Sequence, residues 1–202
     1  VQFFKEWFIH KKKVQWKFGI MRKDFETVYK SSIKVIGFLF CDFWWNNIIF
    51  DKNGNFKRAS DREIIFIKCR EGNTGKSTFI KWLFLQHPQD IGFITEGTEA
   101  QIKSVVINQD KKKCYFIDLP RTRTSKTSML GLMNATETVK TGIITKVMFG
   151  SVRTMIMENP WIVMVGNTMP LGGFTPDRWQ VFEINDKKEL VDITKEAREM
   201  AK

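Results

Sequence analysis

Seven residues, Gly72-Asn73-Thr74-Gly75-Lys76-Ser77-Thr78, limit the architecture of this chain more than any other stretch. The apolar run Ile64-Ile65-Phe66-Ile67 leads into them and a helical pattern leaves them. Strand, glycine-bearing turn and helix in that order make a loop whose successive backbone N–H groups curl around an anion at a helix N-terminus. In such loops a lysine after the last glycine reaches the β- and γ-phosphates of a nucleotide, and the next hydroxyl holds Mg²⁺. Here those side chains are Lys76 and Ser77. The full spacing G-x-x-x-x-G-K-[ST] puts a glycine where Arg70 stands, so Gly72 is the candidate for the turn-making role.

The sequence continues as alternating strands and helices. Residues 77–86 place Ile80, Leu83 and Phe84 on one helical face until His87-Pro88 stops the pattern. Residues 91–94 read as a strand and 99–108 as a helix. Cys114-Tyr115-Phe116-Ile117 is a continuous apolar run suited to a buried parallel strand, and it ends at Asp118. Residues 127–139 are helical in pattern, and 143–157 read as a β-hairpin or an irregular insert. Trp161-Ile162-Val163-Met164-Val165 is a second buried strand, ending at Gly166-Asn167; a last strand covers 179–184 and a charged helix 188–200. This alternation argues for an α/β layered fold with a mostly parallel sheet. The turn cluster Asp51-Lys52-Asn53-Gly54-Asn55 puts a boundary near residue 58. The expected organisation is an aromatic and basic, helical segment over 1–58, a core over 59–185 and a C-terminal helix over 186–202.

Composition narrows the function classes. A formal charge of +11 on 202 residues gives a positive field that attracts nucleic acid or an anionic membrane surface. Cys41, Cys69 and Cys114 are widely spaced and have only His10 and His87 to assist them, which offers neither a disulfide framework nor a zinc site and points to a reducing, intracellular compartment. The longest apolar stretch, residues 35–50, is broken by Asp42, Asn46 and Asn47 and falls short of the ~20 residues of a membrane span. No secretory leader pattern opens the sequence.

In open α/β sheets ligands gather at the carboxyl ends of the strands, so polar residues ending apolar runs are the ones to weigh. Asp118 is placed to hold a Mg²⁺ shared with Ser77; the alternative is a helix-capping or turn aspartate beside Pro120. Asn167 is placed to orient an attacking water, or else fills a Gly-Asn turn. Arg178, in Thr175-Pro176-Asp177-Arg178-Trp179, has the chemistry to stabilise charge on a transferring phosphoryl group, often from a neighbouring subunit; the plainer alternative is a surface arginine paired with Asp177.

The order Gly-Asn-Thr-Gly-Lys-Ser-Thr, Phe-Ile-Asp-Leu-Pro-Arg, Val-Gly-Asn-Thr-Met-Pro and Asp-Arg-Trp resembles the superfamily 3 helicase domain of viral replication proteins. It is most similar to the replication-associated proteins of small circular single-stranded DNA viruses and their integrated relatives, over roughly residues 59 to 185. The resemblance implies an AAA+-like P-loop NTPase that binds ATP and Mg²⁺. In this family the loop is Walker A, on Gly72, Asn73, Thr74, Gly75, Lys76, Ser77 and Thr78. The strand-end acid of Walker B is Asp118, the sensor asparagine is Asn167, and the arginine finger acting in trans is Arg178. The family also carries a basic hairpin that grips nucleic acid in the pore of a ring. The segment Glu137-Thr138-Val139-Lys140-Thr141-Gly142, with Lys146 and Phe149-Gly150, is similar to it, which makes Lys140, Lys146 and Arg153 candidate nucleic-acid contacts. A solvated face with scattered lysines is the alternative.

What the resemblance implies is a homo-oligomer, hexameric in the family, that moves on single-stranded DNA and unwinds duplex in the host nucleus, with no membrane role. An RNA helicase uses the same residues, and a non-catalytic nucleic-acid-binding remnant of an integrated viral gene is the other alternative. The family's nicking domain has a His-hydrophobe-His motif and a tyrosine followed three residues later by lysine. Here His10 has no partner histidine and Tyr29 is followed by Ser32, so no nicking activity is expected.

Overall fold

A computed structural model describes residues 48–51, 53, 55–69, 76–119, 126–148, 151–170, 175–185 and 190–200. Most of the aromatic and basic segment expected over 1–58, and loop residues Gly72 to Gly75, lie outside the described residues.

Hydrophobic runs without alternation demand cover on both faces, and the sheet meets that demand. Its strands are β1 (Ile64–Lys68), β2 (Ile91–Ile94), β3 (Cys114–Asp118), β6 (Trp161–Gly166), β7 (Trp179–Ile184) and β8 (Leu190–Asp192), and they lie in the order β2-β3-β6-β1-β7-β8. All neighbours pair in parallel except β7 and β8. Helix α1 (Lys76–Gln86) covers one face, where Ile80 and Leu83 pack with Ile65, Ile67, Phe116 and Val163. Helices α2 (Glu99–Asn108), α3 (Lys126–Lys140) and α4 (Thr194–Met200) cover the other, through Ile102, Val106, Leu132, Val139 and Ala197 against Ile64, Phe66, Tyr115 and Ile162. The chain is therefore mixed α/β, with a mostly parallel central sheet between helices.

Between α3 and β6 the chain makes a separate two-stranded antiparallel ribbon, β4 (Ile143–Met148) with β5 (Ser151–Ile156). Of the two sequence alternatives for this stretch, the hairpin is the one that forms. Its base is anchored by Ile144 and Met155, both buried in the α2–α3 layer. Gly142 makes the launch possible. It has φ +74°, its N–H donates to the Val139 carbonyl at the end of α3, and its carbonyl accepts from Met157 N–H. A Cβ there would stand 2.3 Å from the Met157 carbonyl oxygen.

The C-terminal stretch differs from its sequence pattern. The charged helix expected over 188–200 begins only at Thr194, because Leu190 and its neighbours pair with Phe182 to Ile184 as β8. The Asp51–Asn55 cluster turns the chain back on itself through a bridge between Phe50 and Phe56, with the Asp51 carboxylate accepting from the N–H groups of Asn53 and Asn55. Ile49 and Phe50 are buried in the same core as Ile65 and Leu83, so the packed unit includes residues before position 58.

Candidate functional site

Strand register determines which chain ends meet. Lys68 is level with Gly166 across the β1–β6 pair, and Asp118 with Val165 across β3–β6. Two further backbone bonds extend these pairings, from Cys69 N–H to the Gly166 carbonyl and from Leu119 N–H to the Val165 carbonyl. Asn167, the next residue of the central strand, therefore leaves the sheet between the start of the glycine loop and Asp118. Helix α1 begins at Lys76, so Lys76 and Ser77 occupy the helical turn that faces these strand ends.

Side chains close the arrangement. Ser77 Oγ donates to Asp118 Oδ2 at 2.5 Å, and Lys76 Nζ approaches Asn167 Oδ1 at 3.5 Å, the outer limit of a hydrogen bond. Four residues drawn from three separate stretches thus meet at one edge of the sheet. Among the described residues Asp118 caps no helix, and its partner is the Ser77 hydroxyl. A carboxylate and a hydroxyl side by side are hard oxygen donors, the set Mg²⁺ takes when phosphate and water complete its coordination. Lys76 and the N-terminal end of α1 supply positive charge next to them. Thr78 lies in the first turn of α1.

Arg178 is elsewhere. It sits in the 3₁₀ turn Pro176–Arg178, just before β7, and Trp179 is level with Ile64, the first residue of β1. Lys76 lies by Asn167 at the other end of the strands, and the four steps from Ile64 to Lys68 span about 13 Å. Arg178 and Lys76 therefore occupy opposite edges of the sheet. The Asp177 partnership open from the sequence does not form: Arg178 Nη1 pairs with Glu137 of α3 at 3.3 Å, and Asp177 pairs with Arg62 at 3.3 Å.

The basic hairpin candidates divide. Lys146 and Arg153 are directly opposite each other across β4–β5, exposed or half-exposed, and neither forms a salt bridge among the described residues. Lys140 is a correction. It is 1% exposed at the end of α3, donates to the Pro160 carbonyl at 2.9 Å and stands 5.9 Å from the centre of the Trp161 ring. Burial lowers its pKa to about 8, against a smaller opposing influence from Cys114, Glu63 and Asp61. A side chain enclosed in this way cannot reach a nucleic acid; it ties the end of α3 to the start of β6. Its place one helical turn from the half-exposed Glu137 hid this in the sequence.

Two features went unread in the sequence. Glu137 is the partner that fixes Arg178, and a half-buried pair, Lys68 with Glu183 at 3.8 Å, sits at the same sheet edge as Lys76. The first depends on how α3 docks beside the turn before β7 and the second on register between β1 and β7, neither of which a local pattern carries. Among the described residues no helix is long and apolar enough to cross a membrane. No protein-family model matches the chain, and no curated protein matches it.

Proposed function

We propose that this chain is the motor domain of an ATP-dependent helicase of superfamily 3 type, acting on single-stranded DNA as a homo-oligomeric ring. The observation that carries the reading is the meeting of Lys76, Ser77, Asp118 and Asn167 at the carboxyl ends of β1, β3 and β6. This is where open α/β sheets bind ligands, and these four side chains supply the charge, hydroxyl, carboxylate and amide that phosphoryl transfer needs.

Each residue has a role in this scheme. Lys76 and the loop amides hold the β- and γ-phosphates. Ser77 and Asp118 hold Mg²⁺, which when bound neutralises charge on the phosphates. Asn167, held near Lys76, orients the attacking water. Catalysis is then positioning and charge stabilisation, without a covalent intermediate. Arg178 is too far across the sheet to serve its own subunit's nucleotide, which supports a site completed by the arginine of a neighbouring copy. Lys146 and Arg153, opposite each other across the hairpin and without a salt bridge among the described residues, contact the nucleic-acid backbone.

Nucleotide binding and turnover by the wild type, Lys76→Ala and Asp118→Asn test this. The expected outcome is Mg²⁺-dependent ATP hydrolysis stimulated by single-stranded DNA, with turnover down by about a hundredfold or more in both variants. Absence of ATP binding by the wild type would remove the proposal. Equal stimulation by RNA of the same sequence would move the substrate from DNA to single strands in general.

A further inference from the structure

A second basic surface lies at the opposite edge of the sheet from Lys76. A groove of about 910 Å³ opens where β2, β3 and β6 begin; the tri-lysine turn 111–113 and the approach segment Lys57-Arg58 line it. A second cleft, about 670 Å³, runs from Arg153 on the hairpin to Asp110 and Lys111. Lys111 belongs to both, so the two form one channel from the hairpin across the strand-start edge.

The floor of this channel is rigid. Trp161 Nε1 donates to the Lys57 carbonyl at 2.8 Å, and Trp161 N–H donates to the Lys113 carbonyl at 2.8 Å, so one residue of β6 stitches together the two basic segments. Lys112 Nζ donates to the Pro88 carbonyl at 2.8 Å, which holds the turn against the end of α1.

Several basic side chains of this surface carry charge that no carboxylate offsets. Elsewhere Arg62, Lys68, Lys103, Arg178 and Arg198 each face a carboxylate. In the channel Arg58, Lys111 and Arg153 are exposed, and none of them makes a salt bridge among the described residues. Two of the three acids that line the larger groove are already engaged: Asp90 pairs with Lys113 at 3.0 Å, and Asp61 accepts from the Asn159 amide at 3.2 Å. Glu158 is the third. Five basic side chains against three acidic ones leave a positive groove.

We propose that this channel is a second binding track for a single-stranded nucleic acid, in which Arg58 and Lys111 take the phosphodiester backbone onward from Arg153 on the hairpin. The inference rests on the nucleic-acid part of the function proposed above and is independent of its ATP chemistry. The track follows from the single-stranded substrate proposed above, with Lys111 lining both clefts. Contacts of this kind read charge rather than sequence and release counterions on binding.

The test is fluorescence anisotropy of a labelled oligothymidylate across a sodium chloride series, with the wild type, Arg58→Glu/Lys111→Glu and the milder Arg58→Gln/Lys111→Gln. Circular dichroism verifies the fold of each. Both variants are expected to bind at least about tenfold more weakly. The slope of log affinity against log salt should fall in magnitude by about 1.4, two lost phosphate contacts on a single strand. Turnover of ATP without DNA should stay at the wild-type rate. Unchanged affinity and slope in both variants would overturn the track while leaving the nucleic-acid function standing. A wild type that ignores the oligonucleotide but binds phosphatidylserine vesicles would overturn both. Lost binding in the variants of a protein that hydrolyses no ATP would uphold the track and remove only the motor.

Discussion

At the scale of single residues, hydrogen bonding and burial assign roles that residue type leaves open. Asp118, a candidate metal ligand, and Lys140, a candidate nucleic-acid contact, both stood out in the sequence, yet only Asp118 meets another candidate, the Ser77 hydroxyl. Lys140 is sealed beneath the hairpin, and the cost of keeping its charge there shows in a pKa of about 8, below the usual 10.5. Between pH 8 and 10.5 the folded protein has released this proton while the unfolded chain still holds it. Unfolding then takes up a proton, so Lys140 makes stability rise with pH across that window, by at most about 3 kcal/mol. Below pH 8 both states carry the charge and this contribution is flat. Urea unfolding at pH 7.5 and pH 10 should show the rise in the wild type and its loss in Lys140→Met; the same pH dependence in both proteins would contradict the assignment.

At the scale of elements, the hairpin depends on one backbone conformation. Gly142→Ala combines a φ of +74° with a Cβ against the Met157 carbonyl, and the expected cost is about 1–3 kcal/mol in urea unfolding. A change under about 0.5 kcal/mol would mean that the launch does not require glycine. Strands and helices were largely legible in the sequence because both-face burial writes itself as long apolar runs, as in Cys114 to Ile117, and one-face burial as helical spacing, as in Ile80, Leu83 and Phe84. Strand ends were legible for the same reason, since Asp118 and Asn167 are the first polar residues after such runs. Pairings were not. Leu190 joins β7 rather than a helix, and Arg178 takes Glu137 rather than its neighbour Asp177, because sheet register and helix docking decide both. The Phe50–Phe56 turn read as a boundary, since turn residues mark a change of direction whether or not the core ends there.

At the scale of the whole molecule, the two edges of one sheet divide the work. Lys76, Ser77, Asp118 and Asn167 lie at the strand ends, whereas Arg178 and the basic channel lie at the strand starts. A subunit built this way presents an arginine on one side and the proposed nucleotide site on the other, and a heterologous contact of that kind is one that can close into a ring. In the function proposed above the positive charge of the chain meets nucleic acid, and its effect should fall with salt. The most direct measurement is ATP turnover by Lys76→Ala, by Arg178→Ala and by an equal mixture of the two. Each variant alone is expected to be inactive. In the mixture, an intact loop from the Arg178→Ala subunit meets an intact arginine from the Lys76→Ala subunit at roughly a quarter of random interfaces, so activity should return to about that fraction of the wild-type rate. A mixture as inactive as its components, with oligomers present, would contradict a site shared between copies.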